Sequence, residues 1–429
     1  MDFTEVAEGI NLMGSVDPLP FRFDYNGLGS EESIRDWILD RTCKELDADR
    51  TIITNAWTDQ ATGLKVIWDA IRYNDLPALD WVLYFENAGS RNTGIIENVQ
   101  PLSITLNAPL RGDRPYCVHY TSGCPISQTD YEVRIVEIGR GNEEVFGGSG
   151  GQGSRKDLPF FKLETGLGTA IVAIGWSGQW QARFIGKNEQ RLGVVAGMDR
   201  TCFRLYPAER VRTPRIVTLF WDGHHIESNV HWRRLMNKYY VRKYKGSDSA
   251  PILFCNSCYT QHDGSWLNDC DAENQKSLIS AYGKLGLEAF VTDAGWFDVG
   301  WPYCTGNWYP PRKDAYPEGM GPVAEEAKEQ GMVYGLWFEP ERVSPDTTLR
   351  NEHPEWCLPS SRDNERMCLL DFGIPEAREY MINILDKYMN LPGFHFYRQD
   401  CNISPLDFWT YNDEEDRQGI TEMKYHEGL

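Results

Sequence analysis

The sequence predicts a multidomain α and β chain, with an N-terminal antiparallel β-sandwich over residues 1–245 and a domain of alternating strands and helices over residues 246–429. Three observations indicate this. The first half carries many short strand-like runs and few helical periods. A small polar segment, Gly246–Ala250, then has the composition of a linker. Beyond it, apolar strands alternate with helical patterns, which is typical of parallel βα units.

The strands of the first domain are predicted from the alternation of apolar and polar residues. Alternate apolar residues of Leu64–Tyr73 share one face, and so do Tyr131, Val133 and Ile135 of the run YEVRIVEI. Further short β-type runs are WVLYFENAG, TAIVAIGW and RIVTLFW, each followed by turn-forming residues. Many short strands with few helices favour a large antiparallel sandwich.

The helices of the second domain are predicted from caps and apolar stripes. Asp271 is placed to cap a helix that runs to about Leu285, and a second helix is predicted near Pro322–Gln330. Pro375 begins a third helix, whose apolar residues recur at offsets of 3, 4, 7, 8 and 11 and form one stripe.

Three glycines divide these helices from the strands that follow them. Gly286, Gly331 and Gly393 each stand where a helical pattern ends and an apolar run begins: LEAFVTDAGW, MVYGLWFEPE and FHFYRQD. Apolar strands alternating with helices predict a parallel sheet that is covered on both faces.

Acidic residues follow each of these predicted strands. Asp293 ends the first, Glu339 and Glu341 follow the second, and Asp400 ends the third. The carboxyl ends of parallel strands share one edge, where α/β folds build their sites. Clustered carboxylates there suit glycoside hydrolysis or a divalent metal site, and an acidic rim of structural ion pairs is the third interpretation.

Neighbouring residues favour the glycoside hydrolase interpretation. Arg398 lies two residues before Asp400, on the same strand face, where its charge would keep that carboxyl ionised. A metal ion would be repelled by this cation. The indoles of Trp296, Trp308 and Trp337 lie near the strand ends and suit the apolar face of a sugar.

The overall composition excludes some classes of partner. The net charge is −20, without a dense Lys/Arg run, which disfavours nucleic acid and anionic membranes as partners. No signal peptide and no transmembrane segment are predicted. The 11 scattered cysteines fit free thiols in the cytoplasm, and Cys255-x-x-Cys258 is given little weight as a redox or zinc motif.

Several motifs resemble glycoside hydrolase family 36, the α-galactosidase and α-N-acetylgalactosaminidase family of melibiase-like enzymes. The motifs GLWFEPERV, HPEWCL, YRQDCN and FVTDAGWF resemble segments of its barrel, and LPFFKLE and IGWSGQW resemble its N-terminal β-supersandwich. The resemblance covers essentially the whole chain. It implies a β-supersandwich followed by the first half of a (β/α)8 TIM-type barrel.

The resemblance also implies roles for individual residues. Asp400 matches the nucleophile of a retaining α-galactosidase, which forms a covalent glycosyl-enzyme. Substrate contacts are expected from a set of strand-end residues: Asp293, Trp296, Trp337, Glu339, Arg398 and Asn402. No metal and no organic cofactor is implied. The expected substrate is terminal α-linked galactose of raffinose-type oligosaccharides or glycans, and a homo-oligomer of the complete enzyme is left open.

The sequence departs from the family pattern at three points. Ala294 stands where the family has a second Asp, so an α-galactosaminide is the alternative substrate. Gln399 replaces the usual Trp before the nucleophile. The motif that carries the acid/base is absent and only four βα units are predicted, so we expect a truncated N-terminal portion that is inactive alone, or a non-catalytic carbohydrate-binding fragment. A split enzyme completed by a second chain is the less favoured explanation.

Overall fold

The computed structural model describes residues 19–107, 115–164, 168–188, 191–244, 247–248, 251–259, 270–301, 303–362 and 367–429. The chain divides into two compact units, Met1–Asp248 with Asp413–Lys424, and Ser249–Asn412 with Tyr425–Leu429. Residues 413–424, which the sequence predicts to be part of the second domain, belong to the first unit. The predicted boundary between residues 245 and 246 lies outside the described residues.

The first unit is built mainly of strands. Its helices are α1 Ser30–Ser33 and α2 Glu227–Leu235, and α2 continues as a π-helix over Met236–Tyr240. Its strands are β1 Arg22–Tyr25, β2 Leu28–Gly29, β3 Ile38–Glu45, β4 Arg50–Thr58, β5 Leu64–Tyr73, β6 Ala78–Asn87, β7 Ile96–Gln100, β8 Leu102–Asn107, β9 Tyr116–Thr121, β10 Val133–Ile138, β11 Glu143–Gly147, β12 Phe160–Glu164, β13 Thr169–Gly175, β14 Trp180–Asn188, β15 Arg191–Met198, β16 Cys202–Phe203, β17 Arg210–Arg212, β18 Arg215–Trp221, β19 Lys243–Tyr244 and β20 Ser247–Asp248.

These strands form antiparallel sheets that pack face to face. The largest has the order β10-β9-β12-β13-β18-β6-β5-β4-β3, with β17 beside β6, and a second has the order β11-β14-β15-β8. Phe161 of the first sheet lies 5.1 Å from Phe146 and 5.0 Å from Phe184 of the second, between ring centroids. The predicted antiparallel sandwich is therefore present, because the apolar faces of both sheets meet in one core.

The alternation predicted for Leu64–Tyr73 matches the burial of β5 from Leu64 to Ile71, and the last two residues of the strand break it. The run YEVRIVEI behaves differently, since Val133 is 71% and Ile135 59% exposed. The physical reason is position: β10 is the edge strand of its sheet. Apolar alternation alone does not tell an edge strand from a central one.

The second unit combines a parallel sheet with surrounding helices. Its helices are α3 Ala272–Lys284, α4 Gly321–Glu329, α5 Thr348–Glu352, α6 Pro375–Met389 and α7 Leu406–Asn412. Its strands are β21 Phe254–Asn256, β22 Ala289–Thr292, β23 Val333–Phe338, β24 Arg342–Val343, β25 Cys357–Leu358, β26 Cys368–Leu370 and β27 Phe394–Gln399. Strand β28 Arg417–Gln418 belongs to the first unit, where it pairs with β16, and helix α8 Ile420–Gly428 follows it.

The parallel sheet has the order β21-β22-β23-β27, with every pair parallel. Helices α3, α4 and α6 connect its strands as the sequence predicts. The Asp271 side chain caps α3 by accepting a hydrogen bond from the Asn274 N–H. Gly331 and Gly393, which open β23 and β27, have φ of +74° and +89°, a conformation that favours glycine. The half barrel itself stays a prediction.

A helix that crosses a membrane must be both long and apolar. None of the helices in the described part of the chain meets both conditions.

Candidate active site

Three strands of the parallel sheet bring polar side chains to its carboxyl edge. Asp293 follows β22, Glu339 follows β23 and Asp400 follows β27. The register aligns these ends, because Thr292 pairs with Leu336 and Phe338 pairs with Gln399. The parallel register of these strands therefore brings the three acids to one edge of the sheet, as the sequence predicts.

Asp400 accepts hydrogen bonds from several side chains of this edge. Its Oδ2 accepts from Trp337 Nε1 at 2.9 Å, Asn402 Nδ2 at 3.1 Å and Arg398 Nη1 at 3.3 Å. Its Oδ1 accepts from the backbone N–H of Cys401 at 3.1 Å. One oxygen is thus held by three side chains, while the other has one backbone donor.

These donors control the charge of Asp400. Burial alone would raise its pKa, but the hydrogen bonds from Trp337 and Asn402 and the charge of Arg398 outweigh that cost and hold the pKa below its usual value. Asp400 is consequently a carboxylate at neutral pH, in a half-buried position. A half-buried, ionised and fixed carboxylate can act as a nucleophile or stabilise a developing cation.

Asp293 is the second acid at this edge and is held more deeply. Its Oδ2 accepts from Asn256 Nδ2 at 2.6 Å and lies 3.7 Å from Arg398 Nη1. Burial raises its pKa, partly opposed by these donors and by the Ala294 N–H, and the charge of Asp400 raises it further. Arg398 therefore bridges both acids, and its side chain stays 35% exposed.

Glu339 lies behind the nucleophile candidate rather than beside it. It is fully buried, and its Oε1 accepts from the Asn402 backbone N–H at 2.5 Å and lies 3.2 Å from Arg342 Nη2. Its Oε2 accepts from Trp301 Nε1 at 3.0 Å. In this position Glu339 orients Asn402, which in turn donates to Asp400. The direct substrate contact predicted for Glu339 stays a prediction.

The two indoles that were expected to contact the substrate, Trp296 and Trp337, occupy different places. Trp337 is 2% exposed and directs its Nε1 at Asp400. Trp296 is completely buried, and its Nε1 donates to the Trp337 carbonyl at 2.9 Å. Its ring packs against Phe338 and Tyr388, with centroids 5.1 Å from each. Trp296 thus supports Trp337 from the core side, and its predicted sugar contact stays a prediction.

Two residues of this edge carry contacts that the sequence did not assign. Asn256 ends β21 and fixes Asp293, and the strand-end rule that selected the acids would have found it. Glu341 is 4% exposed and accepts from Gln399 Nε2 at 2.8 Å. The sequence places Glu341 at a strand end, but nothing in the pattern predicts its burial.

Clustered acids at such an edge can also form a metal centre. Among the residues that the structure describes, no group of three or more His, Cys, Asp or Glu side chains is arranged to hold a metal ion. The donors that surround Asp400 include a guanidinium, an indole and an amide. This donor set suits hydrogen bonding to an anion and to hydroxyl groups.

Sequence comparisons connect the chain with known proteins. A family model described as Melibiase matches residues 211–429. Alpha-galactosidase C of Emericella nidulans is 25% identical over 366 residues, which cover 77% of this chain and 46% of that protein. Alpha-galactosidase Mel36A of Lactobacillus acidophilus is 26% identical over 310 residues, covering 68% of this chain and 41% of that protein. The chain thus spans less than half the length of these two relatives.

Solved structures share the fold. The GH36 alpha-galactosidase AgaB of Geobacillus stearothermophilus matches with a TM-score of 0.76 at 19% identity, over 96% of this chain and 59% of that one. A variant of AgaA from the same organism, solved with raffinose, matches with a TM-score of 0.74 at 19% identity, over 96% of this chain and 58% of that one. At these levels of sequence identity, the structural similarity establishes a shared fold.

Proposed function

The chain belongs to the melibiase family, of the glycoside hydrolase family 36 type, and from that membership we propose that it acts on terminal α-linked galactose through a covalent intermediate at Asp400. The observation that carries this proposal is the set of donors around Asp400. Trp337, Asn402 and Arg398 keep the carboxylate ionised and fixed at the carboxyl edge of a parallel sheet. A retaining glycosidase requires a nucleophile in that state.

We assign the attacking atom to Oδ1 of Asp400, because Oδ2 is occupied by three side-chain donors. In the first step Oδ1 bonds to the anomeric carbon and the glycosidic oxygen leaves with the bonding electrons. In the second step water breaks the ester and regenerates Asp400. The leaving oxygen needs a proton donor, and we assign that role to none of the described residues.

Sugar recognition in this proposal depends on the charges beside Asp400. Arg398 lies between Asp293 and Asp400 with part of its side chain exposed, so it can donate to hydroxyl groups while it pairs with both acids. Asp293 is the acceptor for sugar hydroxyls. The names of the relatives support α-galactosides as substrates, and AgaA variants have been solved with stachyose and with raffinose.

The test is covalent trapping of Asp400 in the full chain. A fluorinated α-galactosyl fluoride carries a leaving group that needs little protonation, so the reaction tests the nucleophile without the general acid. Mass spectrometry of peptides should find the label on Asp400, and D400N should remain unlabelled. D386N removes an exposed carboxyl of α6 and should label like the wild type.

Three other outcomes would decide against parts of the proposal. A label on another residue would overturn the assignment of Asp400. Faster labelling by the matching 2-acetamido reagent would favour α-galactosaminides, the alternative that Ala294 raised. Galactose binding without any labelling would favour a carbohydrate-binding role.

A further inference from the structure

Glu341 is a buried acid that the proposed reaction does not use. It follows β23 and lies two residues beyond Glu339, across Pro340. Its Oε1 accepts a 2.8 Å hydrogen bond from Gln399 Nε2, and Gln399 immediately precedes Asp400. Its Oε2 is buried and has no hydrogen-bond partner among the described residues.

This geometry favours the neutral acid over the carboxylate. An ionised oxygen that is buried without a donor costs several kcal/mol, whereas a neutral carboxylic acid costs much less. Gln399 Nε2 is a donor, so Oε1 serves as the carbonyl oxygen and the proton resides on Oε2. Burial raises the pKa of Glu341 to about 7, opposed by the Gln399 hydrogen bond and by the backbone N–H of Glu341 itself, and assisted by the charges of Glu339 and Asp400.

Among the described residues, the groups that act on Glu341 do not include a counterion. The segment after β23 contributes Glu339, the end of β27 contributes Asp400, and α8 contributes Tyr425. Arg342 pairs with Glu339, and Arg398 pairs with Asp293 and Asp400. Ionisation of Glu341 would therefore add an unpaired negative charge beside two other acids.

Glu341 is connected to the nucleophile by two routes. One runs through Gln399 to the backbone of Asp400. The other runs through Pro340 to Glu339, which accepts from the Asn402 N–H, while Asn402 donates to Asp400. A displacement of Glu341 toward water would disturb both ends of this arrangement.

We propose that Glu341 is a positioning residue, which in its neutral form holds the segment carrying Asp400 and on ionisation releases it. The proposal rests on the nucleophile role of Asp400. According to this proposal, the rate of the covalent step falls at alkaline pH because Glu341 ionises, although Glu341 does not contact the sugar. This role depends on the pair of Glu341 and Gln399. The pair exists because Gln399 stands where the family usually has Trp.

The test compares E341Q with E341L in the full chain. Gln keeps the acceptor for Gln399 and cannot ionise, whereas Leu removes the acceptor. At pH 6, E341Q should be trapped at Asp400 within about twofold of the wild-type rate, and E341L should be slower by about tenfold or more. Above pH 7 the wild-type rate should fall about tenfold per pH unit, while the E341Q rate should stay level to pH 9.

E422Q is the matched control. Glu422 is another buried acid, whose pKa burial raises to about 8, and it accepts from Trp176 Nε1 and the Gln179 N–H in the first unit. E422Q should leave the pH profile of trapping unchanged. An alkaline limb that persists in E341Q, or that disappears equally in E422Q, would overturn the proposal.

Thermal unfolding separates this inference from the proposed function. The raised pKa of Glu341 contributes stability that is complete below about pH 4.5 and lost as the pH rises to about 7. The melting temperature of the wild type relative to E341Q should fall across that window. Equal profiles would overturn the inference. Absence of labelling in every variant, with the melting difference intact, would contradict the role of Asp400 instead.

Discussion

The indole of Trp337 donates a 2.9 Å hydrogen bond from Nε1 to Oδ2 of Asp400. The two residues come from neighbouring parallel strands, and Trp337 pairs with Arg398 in the register of β23 and β27. The nucleophile candidate and the donor that fixes it are thus held by adjacent strands of one sheet.

Removal of that donor should weaken Asp400 as a carboxylate. W337F keeps an aromatic ring and loses the N–H, so the pKa of Asp400 should rise. A hydrogen bond to a charged group contributes about 1.5–3 kcal/mol, so trapping should slow by about 10- to 100-fold at low pH. The measurement is the trapping rate as a function of pH. The fall of the rate at low pH should begin at a higher pH in W337F than in the wild type. W296F, which removes only the donor to the Trp337 carbonyl, should have the smaller effect.

The charge of Arg398 should matter more than its shape for the pKa of Asp400. R398K keeps a cation between the two acids, whereas R398Q leaves them without one. We expect the fall of the trapping rate at low pH to begin at a higher pH in R398Q, and at about the wild-type pH in R398K. The same pH dependence of trapping in both variants would contradict the electrostatic role assigned to Arg398.

Asn256 should control sugar binding through Asp293. N256L removes the 2.6 Å hydrogen bond to Oδ2 and should raise the pKa of Asp293 further. A protonated Asp293 is a poorer acceptor for hydroxyl groups, so the apparent affinity for the fluoride reagent should fall by about tenfold near neutral pH. The limiting trapping rate should change little. A change confined to the limiting rate would show that Asn256 acts on Asp400.

The first unit should lose stability in acid through Glu209. Its carboxylate accepts from Arg417 at 2.7 and 2.9 Å and from Lys424 at 2.7 Å. Burial opposes the ionised form of Glu209, but these donors lower its pKa to about 2. The contribution is present above about pH 4.5 and is lost as the pH falls toward 2.

E209Q should therefore destabilise the protein by on the order of 2 kcal/mol at neutral pH. The difference in melting temperature from the wild type should shrink below about pH 4. E414Q is the control, because the Glu414 carboxylate accepts a 3.0 Å hydrogen bond from the exposed Tyr206 hydroxyl and has no ion-pair partner in the described part of the chain. A constant difference across the acid range would mean that Glu209 acts through packing.

Local residue patterns were sufficient to predict most elements of the second unit. The Asp271 cap, the stripe that begins at Pro375, and Gly331 and Gly393 each correspond to an element boundary in the structure. These features depend on backbone geometry and short-range hydrogen bonds, which neighbouring residues determine. The acidic residues at the ends of the parallel strands were predicted from the same local patterns.

The roles within the cluster depended on packing that no pattern contains. Glu339 and Asp400 both follow parallel strands, yet Glu339 turns into the core toward Arg342 while Asp400 stays half-buried at the edge. Trp296 and Trp337 are both indoles near strand ends, yet one supports the other. Among the described residues Glu341 has a hydrogen bond from Gln399 but no ion-pair partner, because Arg342 and Arg398 pair with other acids.

The sequence by itself determined the parallel strands of the second unit, the helices α3, α4 and α6 between them, and which acids share one edge of the sheet, because periodicity and turn chemistry are local. Only the tertiary structure decided which acid is ionised, which is buried and which donor each accepts from. The physical reason is that burial and charge pairing are sums over residues far apart in the chain, such as Trp337 and Asp400 or Asn256 and Asp293.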